Sequence, residues 1–120
     1  MRLTASFRAL LATLALAGLA ACGGGGPGNA TASTCPTTQT LTYDNFGKQF
    51  FQTRCLACHS ASGPESPKFD TVEQIRGAAS DIDRSAAAGP AAVNTYMPDG
   101  ASVDEAERRK LGEWLACGAP

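Results

Sequence analysis

The chain is 120 residues long, enough for one domain. Ten Lys and Arg stand against eleven Asp and Glu, a formal net charge of −1, which excludes both the basic footprint of a nucleic-acid binder and a strongly acidic tail. Five cysteines, one histidine and two methionines, one of them the initiator, are the residues that need a chemical explanation.

Residues 1–21 read as an export signal. Arg2 and Arg8 form its positive end, and Ala9 to Ala21 is an almost unbroken run of Ala and Leu. The run is too short to span a bilayer comfortably but suits a signal core. It ends in Leu19-Ala20-Ala21-Cys22, which resembles a bacterial lipobox, whose cysteine takes lipid after cleavage. The alternative is an ordinary signal with a stray cysteine, but an exported free thiol at that place is a liability. Cleavage before Cys22 leaves 99 residues, with eight basic side chains against eleven acidic ones, hence −3 before any cofactor. Gly23-Gly24-Gly25-Gly26-Pro27-Gly28, followed by Ala, Thr and Ser, predicts a flexible tether over residues 22–41, with the folded domain at 42–120. Lipid on Cys22 would hold the domain at a membrane surface without embedding it.

The folded part begins with apolar positions at helical spacing: Phe46, Phe50 and Phe51, with Gly47, Phe51 and Cys55 four apart on one face. They predict a helix from Tyr43 or Asp44 to about Cys58. Gly63-Pro64 and Pro67 then break the chain. Asp70, with Glu73 three residues on, predicts the cap of a second helix with the stripe Val72, Ile75, Ala79 and Ile82, kinked or divided at Gly77. Ala91 to Ala101 reads as a loop. Ser102 and Glu105 predict a capping box for a last helix with Val103, Ala106, Leu111, Trp114 and Leu115 facing inward, Arg108, Arg109 and Lys110 on a solvated face, and Gly118 as the stop. No segment reads as a strand pair.

Cys55-Leu56-Ala57-Cys58-His59 is a Cys-x-x-Cys-His sequence, the attachment pattern of a c-type haem. Two thiols three residues apart can bond the two vinyl groups of one porphyrin, and the next side chain then points its imidazole at the iron. A redox dithiol or half a zinc site are the competing readings. The first usually lies between a strand and a helix, and the second needs two further ligands that no other His or Cys pair supplies. His59 is the sole histidine, and so the proximal iron ligand if haem is bound. Met97 lies 38 residues downstream, before a proline in a loop, and is the candidate distal ligand; a gap-filling core methionine, lysine ligation and an open site are the alternatives.

With these residues the chain resembles class I c-type cytochromes, over about Tyr43 to Cys117. The resemblance implies an all-α fold of three to four helices around one haem, with crossing first and last helices. Gly47, Phe51 and Cys55 match the family's glycine–aromatic–cysteine spacing, Trp114 the aromatic that packs on that glycine, and Met97 the ligand before the last helix. Pro64 and Pro67 both qualify for the family's proline whose carbonyl fixes the proximal imidazole; Pro67-Lys68-Phe69 would set Phe69 against the haem. Tyr96, Arg84 and Asn94 are candidates for the remaining pocket contacts. Because the first and last helices of that fold cross, the resemblance also implies a Cys35–Cys117 disulfide, which export permits.

The implied function is outer-sphere transfer of single electrons through one covalent haem c and its iron, with other redox proteins as donor and acceptor, and no enzymatic activity. The competing functions are a gas-binding or catalytic haem protein with an open site, and a cytochrome subunit of a larger oxidoreductase. The implied location is the periplasmic side of a bacterial membrane, held only by a lipid anchor. Gly23 rather than Asp after Cys22 favours the outer membrane, with the cell surface also open to it.

Overall fold

The computed structural model describes residues 29–120. Thr42 opens the first helical stretch. Its side chain accepts from the Asn45 N–H at 3.2 Å, and the Asn45 side chain accepts from the Thr42 N–H at 2.7 Å. A π-helical turn, Tyr43–Gly47, runs directly into α1 (Lys48–Arg54). The expected single helix to Cys58 is interrupted at Cys55, whose φ of −125° and ψ of −40° leave helical geometry. One further turn, α2 (Leu56–His59), follows.

The second helical region is divided, as Gly77 suggests, into α3 (Val72–Gly77) and α4 (Ala79–Ala86). Its cap is Thr71 rather than Asp70. The Thr71 hydroxyl accepts from the Gln74 N–H at 3.2 Å, and Gln74 returns the bond to Thr71 at 3.1 Å. Both pairs satisfy the three-residue spacing, and the hydroxyl pair is the one formed. The last helix, α5 (Glu105–Ala116), starts after Asp104, which makes no side-chain cap; Ser102 is not its N-cap. It ends where Gly118 turns to φ +83°, a left-handed position suited to glycine. Among the described residues there is no strand, only an isolated antiparallel bridge of Ala88 with Val93.

The core lies between the first helical stretch, α3–α4 and α5. Trp114, Phe51, Ile75 and Leu111 are its largest fully enclosed side chains. Gly47 backs onto the Trp114 ring, so closely that a Cβ there would lie 2.6 Å from Cζ2. The tail closes the same end: Pro120 O accepts from the Tyr43 N–H at 2.6 Å and from Trp114 Nε1–H at 3.3 Å.

The domain starts earlier than residue 42. The expected tether of residues 22–41 does not extend through 29–41, because Thr31 and Ser33 are buried. The Asp83 carboxylate accepts from the Thr31 N–H at 3.0 Å and from its hydroxyl at 2.6 Å. Ser33 Oγ donates to Ala88 O at 3.2 Å. A disulfide joins Cys35 to Cys117 at the end of α5, with Cα atoms 4.7 Å apart. Small polar side chains, which suit a solvated tether, here saturate a buried carboxylate and a carbonyl. The predicted signal and Cys22 lie outside the described residues.

Candidate functional site

The site residues gather where α1 ends. Phe50 and Phe51 on α1 are buried, and Phe51 bridges two halves of an aromatic cluster. Its ring centroid lies 6.2 Å from that of Trp114 and 5.3 Å from that of Phe69. Phe69 in turn lies 4.8 Å from the His59 imidazole. Stacked side chains thus run from the helix crossing to His59. Trp114, wholly enclosed, serves the helix crossing, and Phe69 is the ring beside His59.

The turn carrying Cys55, Cys58 and His59 is too short to be a stable helix by itself. It is held by the loop that follows. The Glu65 N–H donates to Cys58 O at 3.0 Å, and the Phe69 N–H donates to His59 O at 2.9 Å. His59 Nδ1 donates to Pro67 O at 2.7 Å. A carbonyl can only accept, so Nδ1 carries a proton, and in the neutral ring the lone pair is on Nε2. Nε2 has no hydrogen-bond partner among the described residues. Of the two candidate prolines, Pro67 makes this contact and Pro64 does not.

The two motif cysteines are free thiols in different surroundings. Cys58 is exposed, whereas Cys55 packs against the core. Burial pushes the Cys55 thiol from its ordinary value of 9.0 up to about 12, against a smaller opposing pull from Arg54. A redox dithiol reacts through an accessible thiolate, and burial disfavours that form at Cys55. Nor do three His, Cys, Asp or Glu side chains converge anywhere among the described residues to hold a bare metal ion. The donor set, two thiols and an imidazole with a free Nε2 on one turn, fits covalent attachment of a c-type haem.

Met97 is half-buried in the loop before α5 and packs on the core. Its N–H donates to Ser85 O at 2.8 Å, and its carbonyl accepts from Arg108 at 2.7 Å. Of the other pocket candidates, Tyr96 is 78% exposed. Asn94 turns its side chain to Asp83 O at 2.9 Å. Arg84 pairs with Asp81 on the surface.

Arg108 is where the structure departs furthest from the sequence reading. Expected on a solvated face, it is 3% exposed, while Arg109, Lys110 and the predicted core residue Ala106 lie at the surface. Its Nη1 donates to Ala86 O, Asn94 O and Met97 O at 2.7, 2.8 and 2.7 Å, and its Nε to Val103 O at 3.3 Å. The signal for this was present: Arg108 stands three and seven residues before Leu111 and Leu115, on their helix face.

No helix among the described residues is long and apolar enough to cross a membrane. No curated protein and no solved structure matches the chain. The family model of cytochrome c matches residues 45–117, from the first helical stretch through α5. With its all-helical fold and its Cys-x-x-Cys-His turn, the chain belongs to the cytochrome c family, whose members bind haem covalently and transfer electrons with redox partners.

Proposed function

We propose that the chain is an exported single-electron carrier with one haem c, held through Cys55 and Cys58 and ligated by His59 and Met97. The observation that carries this reading is the His59 imidazole, with Nδ1–H committed to Pro67 O and Nε2 left free beside two unpaired thiols. When bound, the haem iron supplies a reversible one-electron change between ferrous and ferric. The chain's residues supply the rest. Pro67 O fixes the tautomer and plane of the His59 ring and makes Nε2 a better donor. Met97 offers a thioether, which favours the ferrous state and raises the potential. Phe69 packs its ring against the His59 imidazole, and Phe51 backs Phe69 from the core.

With His59 and Met97 both holding the iron there would be no site for substrate, which is why the reading is a carrier and not an enzyme. Its partners are redox proteins met briefly through a small interface. The same reading places the protein on the periplasmic side of a bacterial membrane, most naturally the outer one, through lipid on Cys22. Seven peptide units separate Cys22 from Asn29, the first described residue, a reach of at most about 25 Å. The domain would then work close to the lipid surface on a shorter leash than residues 22–41 would give.

The test is a denaturing gel stained for haem, followed by visible spectra of the reduced protein with and without carbon monoxide. The expected result is gel-stable haem and a low-spin spectrum indifferent to carbon monoxide, with Met97→Ala conferring binding. Gel-stable haem that binds carbon monoxide readily in the unaltered protein would instead make it an open-site haem protein.

A further inference from the structure

Arg108 is a buried cation whose side-chain hydrogen bonds all go to backbone carbonyls. None of the ion pairs among the described residues includes it. Its side chain instead joins four separate places: the end of α4 at Ala86, the loop at Asn94 and at Met97, and the entry to α5 at Val103. A guanidinium is suited to this, because its planar fork presents several donors at fixed angles, whereas an ammonium is a point charge. The Met97 segment has no helix or strand of its own. Its backbone is fixed on one side by the Met97 N–H to Ser85 O and on the other by Arg108 at the Met97 carbonyl.

We propose that Arg108 is a positioning residue for Met97: by clamping the Met97 carbonyl to the ends of α4 and α5, it keeps the thioether presented and excludes exogenous ligands. The inference rests on the reading of Met97 as the distal iron ligand. Carbon monoxide and Met97 compete for one position, so the apparent affinity for the gas falls by the fraction of molecules in which Met97 is released. Hydrogen bonds from a charged donor are worth more than neutral ones. Loosening the clamp should therefore raise the affinity of the ferrous protein for carbon monoxide by roughly tenfold to a hundredfold.

The experiment uses the haem-loaded, exported full chain. Arg108→Gln removes the charge, and Arg108→Lys keeps the charge but loses the fork; the lysine variant carries the test if the glutamine variant does not fold. Thr31→Val, which loses a buried hydrogen bond to Asp83 on the N-terminal strap, controls for general destabilisation. Met97→Ala sets the scale of an open site. Carbon monoxide titration is read together with the weak red absorption band of a thioether-ligated ferric haem. The expected result is that Arg108→Lys moves both readouts towards Met97→Ala, while Thr31→Val lowers the melting temperature and moves neither. Unchanged gas affinity in Arg108→Lys, or an equal change in Thr31→Val, would overturn the positioning role. If Met97→Ala itself binds the gas no better than the unaltered chain, the ligation reading falls first and the inference falls with it.

Discussion

Replacing Gly47 by Ala tests the helix crossing directly. The added Cβ would lie 2.6 Å from Trp114 Cζ2 and 2.7 Å from Cη2, with Tyr43 Cδ2 at 3.1 Å. Carbon atoms pack at about 3.5–4.0 Å, so the indole must move by roughly 1 Å. It has little freedom to do so. The ring is wholly enclosed, it stands against Phe46 and Phe51, and its Nε1–H is tied to Pro120 O. Overpacking of this kind costs about 1–3 kcal/mol, while Ala recovers up to about 1 kcal/mol of helix propensity. A rigid ring puts the cost in the upper part of its range, leaving a net loss of about 1–2 kcal/mol. For a domain of this size that is a fall in melting temperature of about 5–15 °C, read by circular dichroism on the haem-loaded protein. Trp114→Phe removes the ring that carries Cζ2 and Cη2, so it should absorb the alanine methyl. The double variant should then be more stable than the sum of the single losses by about 1 kcal/mol or more. A Gly47→Ala protein as stable as the parent, or strict additivity with Trp114→Phe, would refute the close-approach argument.

Two further outcomes follow from the cysteines. The Cys35–Cys117 bond closes a loop of 82 residues in sequence separation, so Cys35→Ser with Cys117→Ser should lower unfolding stability by about 2–5 kcal/mol in a guanidinium titration; coincident curves for oxidised and reduced protein would contradict it. In folded chain prepared without haem, iodoacetamide at pH 8 should label exposed Cys58 and spare Cys55, whose buried thiol is pushed up to about 12. The sign for stability is the same: keeping Cys55 neutral helps the folded state fully below the ordinary thiol value of 9.0, and that help is lost as pH climbs towards 12. Equal labelling of the two thiols would show that the turn does not hold Cys55 in the core.

Much of the fold was legible because its signals are local. The Cys-x-x-Cys-His run, the four-residue spacing of Gly47, Phe51 and Cys55, and the breaker at Gly77 all state their consequence within one or two helical turns. The cap positions were off by one or two residues because Asp70 with Glu73 and Thr71 with Gln74 offer equivalent spacing, and only the approach of the chain selects between them. Arg108 and the N-terminal segment at Thr31 and Ser33 are hidden from the sequence for a different reason. Each is a polar residue with partners as far as 22 to 55 positions away, and sequence periodicity weighs polarity, not partners. Arg108 falls on the apolar face, but its charge points to solvent. Thr31 and Ser33 follow a glycine run, and their composition matches it.

The same contrast explains how the two candidate ligands are held. Neither sits on a helix long enough to fix it: His59 ends a single turn, and Met97 lies in a loop. Each is fixed by hydrogen bonds of its own to residues outside its turn or loop. For His59 these are the ring to Pro67 O and the backbone carbonyl to the Phe69 N–H. For Met97 they are Ser85 O and Arg108. The apolar core cannot do this work, because dispersion contacts are non-directional and tolerate a ring that rotates or a loop that slides. Directional bonds to backbone groups restrict orientation, and the aromatic chain from Trp114 through Phe51 and Phe69 gives the His59 ring a packed surface on one side. An electron carrier gains from such ligands, since a site that keeps its geometry in both oxidation states has less to rearrange at each transfer. In this chain that restraint comes from hydrogen bonds made by a proline carbonyl and a buried arginine.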